Sequence, residues 1–177
     1  GRTVKAMMPG DTYQVGDVRI IAVAVYHAGS RWSLSAASDG RALGYVIETP
    51  AATVFYSGDT EYYAGFSAVG WKFEPDIAIL NVNGHLPSDD VSRAAWALRA
   101  PVVIPAHWGG YKWWLRGGNK RPRDYETLAR LVGDRLLVLE VGESVPLVGP
   151  TLRRHPRRRR YTTGAGNIAS RSPAGRL

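Results

Sequence analysis

Apolar residues along the chain gather into short runs, at residues 18–25, 43–48, 53–56, 77–80, 102–104 and 136–141. Runs of this length, several of them almost unbroken by polar residues, predict strands with both sheet faces covered. Turn signals separate them: Val15-Gly16-Asp17, Ser38-Asp39-Gly40 and Thr49-Pro50. The 43–48 and 53–56 runs, so closely spaced, predict a hairpin. Two stretches instead follow the helical period. Val91, Ala94, Ala95 and Leu98 make one stripe, with Ser88 as the expected N-cap and Asp89 and Asp90 in the first turn, where the helix dipole favours acids. Tyr125, Leu128, Ala129 and Val132 make another, on a helix expected to start near Pro122 and stop at Gly133. A shorter helical turn is expected around residues 62–69. Strands first, then strand and helix in alternation, predict a mixed α and β fold.

Composition narrows the class. Forty-five per cent hydrophobic and 21% charged residues exclude a wholly disordered chain. No apolar run approaches the roughly 18 residues of a membrane span. The opening residues lack the layout of a secretory leader. Zero cysteines exclude a disulfide framework, a thiolate metal site and a cysteine nucleophile, and make a cytoplasmic location the default expectation. The net charge of +8 invites a nucleic-acid reading until it is divided. Residues 1–150 hold 15 basic and 15 acidic side chains, and residues 151–177 hold eight arginines and no acid. A 1–150 domain followed by an Arg-rich disordered tail, 151–177, is therefore expected. Nucleic acid enters only through that tail, as non-specific phosphate binding.

The chemistry sits where strands end. The 18–25 strand runs into Tyr26-His27, the 53–56 strand into Ser57-Gly58-Asp59, the 77–80 strand into Asn81-Val82-Asn83-Gly84, and the 102–104 strand into Pro105-Ala106-His107. Rigid strands carrying polar residues just past their ends are a common way to build a site. Two imidazoles and a carboxylate form a usual donor set for zinc, and one that also takes iron or manganese.

The words around these residues are His27-Ala28-Gly29-Ser30-Arg31-Trp32, Phe55-Tyr56-Ser57-Gly58-Asp59-Thr60, Pro75 through Gly84, and Val102 through Gly109. In this order they resemble the C-terminal half of the metallo-β-lactamase-fold hydrolases, in the branch of L-ascorbate-6-phosphate lactonase-like and N-acyl-phosphatidylethanolamine phospholipase D-like enzymes, over roughly residues 10–145. The resemblance implies an α+β fold: one half of an αβ/βα sandwich, with a single mixed sheet covered by helices on one face. It implies metal ligation by His27, Asp59 and His107, with Asp59 bridging two ions and Asp59 and His107 carrying the catalytic role. The implied reaction is attack of a metal-activated hydroxide on a small-molecule ester, lactone or phosphodiester.

The His-x-His-x-Asp-His signature of that superfamily is absent, and no two of the four histidines lie within ten residues of each other. The expectation is half a fold, short of metal ligands and with one sheet face bared. Self-association or a complementary N-terminal half is the expected partner. Arg31, as a bidentate fork for phosphate or carboxylate, Asn83, and Trp108 with Tyr111, Trp113 and Trp114 are candidates for the substrate side. Asn81 and Asn83 are candidates to orient ligands. Glu61 reads as a proton acceptor or a helix-start acid. His85 and His155 read as solvated. Two alternatives stand beside the hydrolase: a non-catalytic remnant that binds a partner through its bared sheet, and a nucleic-acid binder acting through the Arg tail.

Overall fold

The computed structural model describes residues 4–27, 42–82, 86–107, 125–139 and 142–146. Six strands form one sheet in sequential order. β1 (Thr12–Val15) and β2 (Val18–Ala24) make a hairpin closed by Gly16-Asp17, with Gly16 at φ +55°. β3 (Leu43–Glu48) and β4 (Thr53–Tyr56) make the expected second hairpin. Its turn is held by the Thr49 hydroxyl, which accepts from the amides of Ala51 and Ala52. The chain then crosses over twice through helices. α1 (Gly65–Phe73) leads to β5 (Ile77–Asn81), and α2 (Ser88–Leu98) to β6 (Val102–Ala106), both strands lying parallel to β4. α3 (Tyr125–Val132) and a 3-10 turn (Gly133–Arg135) follow.

Period-two alternation assigns the faces. One register row runs through Ile21, Val46, Phe55, Ala78 and Val103. All five are buried in one cluster with Phe66 and Val69 of α1, Val91, Ala94, Ala95 and Leu98 of α2, and Leu128 and Val132 of α3. Phe66 meets Phe55 edge-on at 6.1 Å between ring centroids. Gly70 sets the approach of α1 to α2, because a Cβ there would collide with the Ala97 carbonyl. The neighbouring row, Ile47, Val54, Ile77 and Val102, faces the other way. It belongs to a second, smaller cluster to which, among the described residues, no helix contributes. The sheet is mixed, and the helices cover one face.

Several expectations are corrected. Thr12–Val15 is a strand although all four residues are exposed and their Thr-Tyr-Gln-Val alternation is only four residues long. Pro87, not Ser88, occupies the N-cap of α2; Ser88 is the first helical residue, its side chain is buried, and no side chain caps the helix. The short helix near residues 62–69 begins at Gly65 and runs to Phe73. The strand expected at 136–141 is a single parallel bridge between Leu136 and Val103, with residues 140 and 141 outside the described set. The region near Pro122 also lies outside it. No helix among the described residues is long and apolar enough to cross a membrane.

Candidate metal centre

Strand direction decides which residues can meet. β4, β5 and β6 are mutually parallel, and β2 and β4 each run antiparallel to β3. β2, β4, β5 and β6 therefore all point the same way, and their C-terminal ends share one edge of the sheet. His27 follows β2, Asp59 follows β4, Asn81 closes β5 and His107 follows β6. Sequence neighbours separated by up to 80 positions are placed along one rim by topology alone.

Hydrogen bonds then draw two of these ends together. The buried Thr60 hydroxyl accepts from the Tyr26 amide at 3.2 Å and lies 2.8 Å from the Tyr26 carbonyl, to which it donates. The Glu61 amide donates to the same carbonyl at 2.7 Å. These contacts pin residues 26 and 27 to the loop after β4, and His27 Nε2 comes to 3.2 Å from Asp59 Oδ2. The loop is fixed from the other side as well. Ser57 Oγ accepts from the Asn81 amide at 3.2 Å and lies 3.1 Å from Asn81 Oδ1, and Asn81 Nδ2 donates to Asp59 Oδ1 at 3.0 Å. Gly58 turns the chain at φ +59°, where a Cβ would stand 2.6 Å from the Leu43 carbonyl, so this position requires glycine. The Tyr63 hydroxyl donates to the Ala24 carbonyl at 2.7 Å, and burial pushes its pKa up to about 12.

His107 stands differently. It is exposed and has a left-handed backbone, φ +59°. The neighbouring strand ends are tied by the Val82 amide, which donates to the Ala106 carbonyl at 2.8 Å. Among the described residues, no three of His, Asp and Glu gather as a metal-binding group. The His27–Asp59 pair nevertheless fits one ion. Two donors about 2.0–2.1 Å from a tetrahedral ion lie roughly 3.3 Å apart. The pair also has side chains 27% and 37% exposed, so an ion can reach it.

A family model described as the beta-lactamase superfamily domain matches residues 1–108. The chain belongs to that family. Among its curated relatives is the UPF0173 metal-dependent hydrolase of Thermoplasma acidophilum, 27% identical over 78% of this chain and 59% of its own length. Another is the Escherichia coli protein named "Probable L-ascorbate-6-phosphate lactonase UlaG", 27% identical over 72% of this chain and 40% of its own length. The beta-lactamase superfamily chain described here thus spans about half the length of such relatives. In fold it is similar to Igni18, a metallo hydrolase from Ignicoccus hospitalis: TM-score 0.59 at 22% identity, covering 80% of this chain and 59% of that one. The α+β architecture with one mixed sheet is that of metallo-β-lactamase-fold hydrolases, and a divalent metal is the group such a family uses.

Within this family frame, the structure brings His27, Asp59 and Asn81 together and places His107 on the same rim. Asn81 was legible as an orienting residue, and it does contact Asp59. Thr60 and Ser57 stood in the quoted words without a role; their signal was a hydroxyl on each side of a Gly-Asp pair that follows a strand. Glu61 is not a helix-start acid, because α1 begins at Gly65 and has no acid in its first turn. Arg31, Asn83, His85, Trp108, Tyr111, Trp113, Trp114, His155 and the 151–177 segment lie outside the described residues.

Proposed function

We propose that this chain supplies His27, Asp59 and His107 to the divalent-metal centre of a cytoplasmic hydrolase acting on a small-molecule ester, lactone or phosphodiester, with zinc as the metal and manganese or iron as substitutes. The observation that carries the reading is the His27–Asp59 pair, held at the common rim by the buried side chains of Ser57, Thr60 and Asn81. When bound, the ion supplies Lewis acidity and lowers the pKa of water to about 7. Asp59 contributes the negative charge and His27 a nitrogen donor. His107 contributes from the end of β6. Arg31, Asn83 and Trp108 serve the substrate side, Arg31 by pairing with an anionic group.

A catalytic zinc takes three protein ligands; with His27 and His107 serving different ions and Asp59 serving both, each ion would have two donors from this chain, which spans about half the length of its relatives. The remaining donors come from a complementary segment that also packs on the partly buried Ile47, Ile79 and Ile104, on the sheet face whose Val54, Ile77 and Val102 are already buried. That face supports a second reading, a protein-interaction module without chemistry. The two separate on one experiment. The chain is produced together with a segment bearing His-x-His-x-Asp-His, and metal content and esterase, lactonase and phosphodiesterase activities are measured. The hydrolase reading expects bound metal and activity. A stable complex with neither leaves the interaction module.

A further inference from the structure

We infer that the outer face of the helix layer is a self-complementary docking surface for a second copy of this chain, anchored by Trp71 and Trp96 and closed by reciprocal Arg99–Glu74 pairs. The helices bury one side against the sheet, and the C-terminal ends of two of them lie together, since Gly70 of α1 packs on Ala97 and Leu98 of α2. There two tryptophans stand out of the surface, Trp71 at 71% and Trp96 at 67% exposure. Exposed rings of this size mark contact surfaces, and tryptophan and arginine are the residues that most often carry association energy. Each ring is already braced from one side. The Arg99 guanidinium lies 4.4 Å from the Trp71 ring centroid, and that of Arg135 lies 4.2 Å from the Trp96 centroid. Arg135 is itself tied down, its Nη1 donating to the Ala95 carbonyl at 3.3 Å. Rings and cations ordered in this way lose little further freedom on binding.

Charge says what covers them. Residues 65–74, 88–99 and 125–135, which hold the helices and their ends, carry five basic and five acidic side chains. A surface without net charge has no general attraction for phosphate, which sets nucleic acid aside. The two helix ends instead carry opposite signs. Glu74 ends α1 and Arg99 ends α2, both exposed and both left-handed, with φ of +45° and +60°. Glycine is the usual residue in that conformation, so these positions keep charged side chains against a backbone preference. Among the described residues, neither forms an ion pair. A cation and an anion at adjacent helix ends, both unpaired within the chain, match a copy related by a two-fold axis, where each meets the other twice. The two rings supply roughly 300 Å² to each side of a contact that needs about 800 Å² per partner, and the flanking helix surface supplies the rest. The smaller apolar cluster lies on the opposite sheet face, so a segment packing there does not compete for this surface.

The test is sedimentation of the full chain over a range of concentrations, beside Glu74→Arg, Arg99→Glu and an equimolar mixture of the two variants. The wild type is expected to show a monomer–dimer equilibrium. Each single reversal is expected to weaken the dimer at least about 10-fold, because like charges then face each other. The mixture is expected to recover it, since one copy then offers only arginine and the other only glutamate at both contacts. Trp71→Ala is expected to weaken the dimer about 30-fold or more, as loss of an anchoring residue does. A monomeric wild type overturns the inference. So does a dimer indifferent to both reversals, which lies on another face such as the bared sheet. A monomer whose tryptophan fluorescence is quenched by a single-stranded oligonucleotide assigns the face to nucleic acid and equally overturns it. No readout involves a metal, so the inference stands or falls apart from the metal centre.

Discussion

The two ends of the rim are built in different ways. Around Asp59 the chain commits buried polar side chains: Thr60, Ser57 and Asn81 link β2, the loop after β4 and β5, and every link is a hydrogen bond between residues 20 or more positions apart. Around His107 there is an exposed side chain on a left-handed backbone just past β6. The first arrangement is self-sufficient. Its geometry follows from what this chain buries, because unsatisfied polar groups in those positions would be costly. The second holds a non-glycine residue in a sparsely populated conformation, the kind of local strain that surrounding structure must maintain. A preformed corner holds His27 and Asp59, and His107 stands on the same rim past β6; the proposed half of a metal centre rests on that corner.

Substitutions can break or sharpen this contrast. The largest effect is expected at Gly58→Ala. The left-handed backbone alone costs about 1–2 kcal/mol for a residue with a Cβ, and the Leu43 carbonyl adds a clash. Urea unfolding should show a loss above about 2 kcal/mol. Thr60→Val keeps the shape and removes the hydroxyl, leaving the Tyr26 amide without that acceptor. A loss of about 1–3 kcal/mol is expected in the same measurement, together with a changed His27 environment by NMR. Tyr63→Phe should cost about 1 kcal/mol and alter the alkaline limb of stability. A folded-state pKa of about 12 against an ordinary 10.0 means that the native state holds the proton more tightly. That contribution is complete below pH 10, and it is lost as pH rises through about 12. The Phe variant should show a flatter stability profile across that window.

Much of this was legible in the residues, for reasons that differ by element. The bounds of β3 and β4 were readable because two apolar runs flank a Thr-Pro turn. The stripe Val91, Ala94, Ala95, Leu98 was readable because all four are fully buried. β1 was not, since its Thr-Tyr-Gln-Val alternation is only four residues long and none of the four is buried. Among the described residues, the strand expected at 136–141 pairs at Leu136: the Leu137 amide reaches the Val103 carbonyl, and two residues further along β6 Pro105 has no N–H to offer. At the site, the types of donor were legible, and so was their place after strands. Which of them touch was not. The 32-residue separation of His27 from Asp59 closes only because β2 and β4 both oppose β3, and because the Thr60 hydroxyl joins their ends.

His27 and Asp59 are proposed as one corner of a metal site that a complementary segment completes. Zinc content after exhaustive dialysis, measured on the complemented protein and on the same complex carrying Asp59→Ala, tests it most directly. At least one retained equivalent is expected in the first, and its loss in the second. Equal zinc in both, or none in the first, would contradict it.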